Sequence, residues 1–153
     1  MTKKTDNLSP MTRIRHMLEF LIIRIFYVLF SGLPYQTASN LGGIIARSLF
    51  IHTRRTNIAK NNICQALPDM SASEVDQTIQ SMWENVGRNF AELPHISSMQ
   101  DREIMDIASI TGLDNIHKDD QTGHGALYFT AHLGNWEIAP RLFSALGQPV
   151  SIV

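Results

Sequence analysis

The run from Arg13 to Leu33, RIRHMLEFLIIRIFYVLFSGL, limits what this chain can fold into more than any other feature of it. Glu19 and Arg24 are the acidic and basic interruptions of its apolar part, and Gly32 with Pro34 stops it, so the segment predicts a helix of about twenty residues. A cleaved leader is disfavoured, because Arg24 breaks the apolar stretch and Pro34-Tyr35 stands where small residues would be needed. Three fates remain for such a helix. Spanning a bilayer suits the arginines in front of it, at a cost of about 3 kcal/mol for Arg24 unless that side chain snorkels or pairs. Lying in the membrane interface avoids that cost. Burial inside a soluble core also suits a helix that is apolar all round. Charge favours a membrane: residues 1–60 hold nine of the thirteen Lys and Arg against only Asp6 and Glu19, and the interleaved Phe and Ile residues fit lipid better than nucleic acid.

Residues 1–12 are polar, lack periodicity and contain Pro10, and are expected to be disordered. Beyond the apolar helix, Ala38, Leu41, Ile45 and Leu49 recur at helical spacing over 36–52, as do Ile58, Ile63 and Leu67 over 54–67, before Pro68. Ser71 to Glu74 reads as a capping box opening a helix with Val75, Ile79, Met82, Trp83, Val86 and Phe90 on its core stripe, ending near Pro94. The lone Cys64 cannot form an internal disulfide and is expected to be a buried thiol. The histidines show no zinc-like spacing, so no metal is expected.

After Pro94 the texture changes. A short helix over Arg102 to Asp106 leads into an expected strand from Ile107 to Gly112, one helical turn over Leu113 to Lys118, and a turn-rich loop from Asp119 to Gly125. Ala126 to Ala131 is a continuous apolar run of the kind buried in a sheet. A helix from about Asn135 to Leu146 follows, and Pro149 to Val153 begins another strand. The pattern predicts an α/β fold in which amphipathic helices precede a strand, helix, strand crossover, truncated at its last element.

The chemistry is concentrated in Thr130-Ala-His132-Leu-Gly134-Asn-Trp-Glu137, where the expected strand gives way to a helix. A junction of this kind can fold His132 and Glu137 together, so that the carboxylate holds one imidazole nitrogen while the other accepts a proton. An alcohol nucleophile needs that division of labour, because it attacks well only as a positioned base removes its proton. Gly134 would leave room for a substrate near the backbone. The spacing alone is common, and a loop histidine beside a first-turn acid that complements a helix dipole is the simpler reading of it.

At these residues the chain resembles the bacterial lipid A biosynthesis acyltransferases, the lauroyl and myristoyl transferases in particular, within the lysophospholipid acyltransferase group. The resemblance rests on Ala131 to Glu137, and also on Arg54 to Ile63 with Ala66-Leu67-Pro68, and on Asn85 to Glu92, in the family's order over about residues 17–153. It implies transfer of a fatty acyl group from acyl carrier protein to a hydroxyl of a lipid A precursor, at the cytoplasmic face of the bacterial inner membrane, without a cofactor. His132 would be the base and Glu137 its orienting acid. From the residues themselves, Gly134 and Asn135 are expected to position substrate, and a helix N-terminus near Asn135 to help stabilise charge at the thioester. The division expected is a tail at 1–12, a membrane-associated helix at 13–34, and an acyltransferase domain over 35–153. Family members continue past the point matching Val153 with arginine-containing blocks, so the domain is expected to be incomplete and inactive by itself. Transfer to another phospholipid or glycolipid, and a non-catalytic membrane-binding module, are the alternatives.

Overall fold

The computed structural model describes residues 9–112, 127–129, 131 and 133–148. They form six helices: α1 (Pro10–Ser31), α2 (Tyr35–Phe50), α3 (Arg54–Ala66), α4 (Ala72–Ser98), α5 (Asp101–Ile107) and α6 (Ile138–Ala145). The expected α/β class is corrected by this arrangement, since no strand occurs among the described residues. Ile107 ends α5, and residues 108–112 continue without sheet pairing. Leu127 and Phe129 are exposed, and no strand lies alongside them among the described residues. An apolar run signals burial but does not itself supply the neighbour whose backbone groups define a strand. The expected elements at 113–118, 119–125 and 149–153 lie outside the described residues.

Helix α1 begins at Pro10, earlier than the apolar pattern suggests. The Ser9 hydroxyl accepts the Thr12 amide at 3.2 Å, and proline at the first helical position lacks only an N–H that would be unpaired there anyway. The helix meets the rest of the protein through its last turns: Phe26 and Phe30 stack at 4.2 Å, and Phe30 packs with Ala38 and Ala91. Tyr27 Oη lies 2.7 Å from Ser97 Oγ. Everything before that stands clear, with Met17, Phe20, Ile22 and Ile23 all exposed. Only its last turns therefore enter the core, and the rest of the helix lies outside it. No helix among the described residues is long and apolar enough to cross a membrane.

Helix α4 is the axis of the fold. At 27 residues it runs about 40 Å, and it opens with the predicted capping box between Ser71 and Glu74. Its partner α2 approaches so closely that a Cβ at Gly42 would lie 2.5 Å from the Gly87 carbonyl oxygen and collide with Ala91. The facing surfaces are thus Ala38, Gly42 and Ala46 on one helix and Gly87 and Ala91 on the other. This close approach reverses two expectations. Leu41, Ile45 and Leu49 face outward from α2, and Phe90 faces outward from α4. Helical periodicity sets the spacing of a buried stripe but not its phase, and here backbone proximity selects the small residues.

Pro94 does not end α4, which continues to Ser98. The lost hydrogen bond and ring clash cost about 3 kcal/mol in an unsupported helix. Here Ala91, Pro94 and Ile96 are all buried, and His95 Nε2 lies 3.1 Å from the Phe30 carbonyl oxygen, so packing on both sides holds the helix through the proline. On the far side of α4, Trp83 Nε1 donates to Thr56 Oγ1 at 2.7 Å and its ring stacks on Phe50 at 5.0 Å, which seats α3. Cys64, expected to be buried, is exposed on that helix.

Candidate active site

Glu92 lies on the inner face of α4, in its C-terminal third, between the small-residue contact with α2 and the segment leading to α6, and it is only 8% exposed. A buried carboxylate needs hydrogen-bond donors to replace its lost water. Ser39 of α2 donates to Oε1 at 2.6 Å, and Asn135 donates through Nδ2 to Oε2 at 2.7 Å. Arg88 brings positive charge nearby, reaching Ser39 Oγ at 3.3 Å, Asn40 Oδ1 at 2.6 Å and Glu84 Oε1 at 2.7 Å. The Arg88 hydrogen bond holds the Glu84 carboxyl below the usual carboxylate range, with Arg47 adding to the effect from 3.5 Å. Burial and the adjacent Glu92 carboxylate push the Tyr35 hydroxyl up to about 12.

Three residues before Glu92, and on the same face of the helix, Asn89 donates through Nδ2 to the Gly134 carbonyl at 2.6 Å. Two adjacent carboxamide contacts thus tie residues 134 and 135 onto α4. Gly134 has φ +56°, a left-handed conformation that carries little cost for glycine and is strained for other L residues. A Cβ there would meet nothing within 4 Å, so backbone conformation, not crowding, is what calls for glycine, and the space beside it is open.

Asn135 has both ends of its carboxamide engaged. Nδ2 donates to Glu92, and Oδ1 accepts the Glu137 amide at 3.2 Å. Backbone bonds from Ile138 to Asn135 and from Ala139 to Trp136, each 3.2 Å, complete the turn into α6. The helix starts at Ile138, three residues later than expected, which moves its N-terminus away from Asn135. Glu137 takes the N-cap position, but its side chain makes no capping bond; Oε1 instead accepts the Trp136 indole N–H at 3.1 Å. Its carboxylate is exposed at the positive end of the helix. On the opposite side, α6 is held to α5 by Arg141 Nη2, 2.8 Å from the Met99 carbonyl and 3.2 Å from Asp101 Oδ1.

Of the residues proposed from the sequence, Gly134, Asn135 and Glu137 thus form one anchored turn, while His132 lies outside the described residues. Asn89 and Glu92 were not anticipated as site residues. Their signal was present: a carboxamide and a carboxylate one turn apart on a helix face that is otherwise small and apolar, where an unpaired charge would be untenable.

Comparison with known proteins adds one finding. The family model for bacterial lipid A biosynthesis acyltransferases matches residues 6–153. No curated protein and no solved structure gives a significant match.

Proposed function

The chain belongs to the bacterial lipid A biosynthesis acyltransferase family, and on that premise we propose that it carries the base and orienting acid for moving a fatty acyl chain from an acyl carrier protein thioester to a hydroxyl of a lipid A precursor. His132 takes the proton of the acceptor hydroxyl as that oxygen attacks the thioester carbonyl. Glu137 holds the imidazole and stabilises its protonated form. Collapse of the tetrahedral intermediate forms the ester, breaks the carbon–sulfur bond and returns the proton to the carrier thiolate. The observation that carries the reading is the anchored turn: the family match covers it, and Asn89 and Glu92 fix it to the longest helix of the fold.

The exposed apolar surface supports a reaction at a membrane surface, which the proposed substrates would place at the cytoplasmic face of the inner membrane. Met17, Phe20, Ile22 and Ile23 of α1 and Leu41, Ile44 and Leu49 of α2 are exposed, and Arg13, Arg15 and Arg24 accompany them. An apolar helix carrying arginines suits an interface with anionic lipid, with the cations at headgroup level. Carbonate extraction of membranes, with and without residues 1–34, tests this placement. Retention of the truncated protein to the same degree would contradict it.

Transfer of labelled acyl chains from carrier protein to lipid A precursor, compared between a full-length protein containing this domain and its His132→Ala variant, tests the chemistry. Transfer that requires a glycerophospholipid acceptor instead would redirect the substrate, and transfer unaffected by the substitution would remove the catalytic assignment.

A further inference from the structure

The buried carboxylate on α4 has no part in the proton transfers proposed above. Packing alone gives no reason for it, because burying a charge between helices costs desolvation that its partners must offset. What distinguishes a carboxylate from any neutral side chain of similar size is that both of its oxygens only accept hydrogen bonds. Glu92 uses one for the Ser39 hydroxyl and the other for Asn135 Nδ2. A carboxamide that must present its NH2 group to Glu92 must present its oxygen the other way, and that oxygen receives the backbone N–H of Glu137. The chain of consequence therefore runs from the charge on α4, through the orientation of one amide, to the backbone of the acid that precedes α6.

We infer that Glu92 is the positioning residue of the catalytic turn: acting through Asn135, and beside the Asn89 contact to Gly134, it sets the backbone from which the Glu137 side chain departs. The inference rests on the reading in which His132 and Glu137 do the chemistry. Glu92 acts on the turn and not on substrate. Its loss shifts the geometry of the base and acid pair without removing either group, so the effect falls on kcat more than on KM.

Exchange of donor and acceptor across the contact tests this. Glu92→Gln keeps an acceptor for Asn135 only by turning its NH2 onto the Ser39 hydroxyl, which already accepts from Arg88; otherwise NH2 meets NH2, or the Asn135 amide turns and loses the bond to Glu137. Asn135→Asp sets carboxylate against carboxylate. The double substitution Glu92→Gln/Asn135→Asp restores complementarity, since the new amide at 92 can accept from Ser39 and donate to the new carboxylate at 135, whose other oxygen can still accept the Glu137 N–H. The chain has two tryptophans, and they report separately. Trp136 lies in the turn, whereas Trp83 is buried against Phe50 and Thr56. Fluorine NMR of the 5-fluorotryptophan-labelled chain in detergent micelles is read alongside acyl transfer from carrier protein to lipid A precursor by a full-length protein carrying the same substitutions.

Each single substitution is expected to move the Trp136 resonance while leaving that of Trp83 in place, and to lower kcat by about 10- to 100-fold with little change in KM. The double substitution is expected to return both readings toward those of the parent. A Trp136 resonance unmoved by the singles, a Trp83 resonance moved as far as that of Trp136, or a double variant no better than the worse single would each overturn the inference. A Trp136 resonance that shifts and is restored while transfer stays level across all four proteins would leave the clamp standing and overturn the catalytic reading beneath it.

Discussion

Gly134 shows how one backbone angle shapes the site. Its φ of +56° is strained for a residue with a Cβ, by about 1–2 kcal/mol, yet the position where that atom would go is empty. Gly134→Ala should therefore loosen the turn without disturbing the packing around it. Amide hydrogen exchange at residues 134–138 should accelerate while the melting temperature changes little; a fall in melting temperature like that of a core variant would mean that the turn supports the whole fold. Tyr35 offers a pH-dependent test of the same neighbourhood. Its hydroxyl is raised from the ordinary 10.0 to about 12, so in that window the folded protein keeps a proton that the unfolded chain has released. The associated stability is fully present below pH 10 and is lost as pH rises through 12, with solvent moderating the size because the side chain is partly exposed. Denaturant melts of the protein and its Tyr35→Phe variant should diverge across this window, the variant falling less steeply. Parallel curves would mean that neither burial nor Glu92 raises the phenol.

At the scale of the helices, the contact between α2 and α4 has no slack. A Cβ at Gly87 would lie 2.5 Å from Ala46 Cβ and collide with the Gly42 backbone, whereas one at Gly32 would lie no nearer than 3.7 Å to the nearest atoms around it. Gly87→Ala should destabilise by about 1–3 kcal/mol through overpacking, and Gly32→Ala should be nearly neutral. Thermal melts of the two variants check this pair, and equal effects would show that α2 shifts freely against α4. The same contact explains what could and could not be read from residue order. The capping box at Ser71 and Glu74 and the extent of α3 follow from local chemistry, which a sequence carries directly. The outward turn of Leu41, Ile45, Leu49 and Phe90 depends on which helix packs against which, and hydrophobic size alone points to the wrong face. Pro94 misled in the same way, because its cost is local while the contacts that offset it come from elsewhere.

For the molecule as a whole, the family and three of the four candidate site residues within the anchored turn could be named from residue order, because the stretch from Ala131 to Glu137 is a contiguous motif. The sheet expected around it is absent among the described residues, since an apolar run without a paired neighbour is compatible with several environments. Glu92 and Asn89 are not legible as site residues for the opposite reason: they are remote in sequence from the turn that they hold. The central claim is that His132, oriented by Glu137, activates the acceptor hydroxyl. It is tested most directly by the rate of labelled acyl transfer from carrier protein to lipid A precursor in His132→Ala, Glu137→Gln and the double variant of a full-length protein containing this domain, at matched protein levels. Loss of the base should lower the rate by about 10²- to 10⁴-fold, loss of the orienting charge should lower it less, and the double variant should be scarcely worse than His132→Ala alone, because the acid acts only through the base. A His132→Ala variant that transfers at nearly the parent rate, or two single losses that simply multiply in the double variant, would contradict the account.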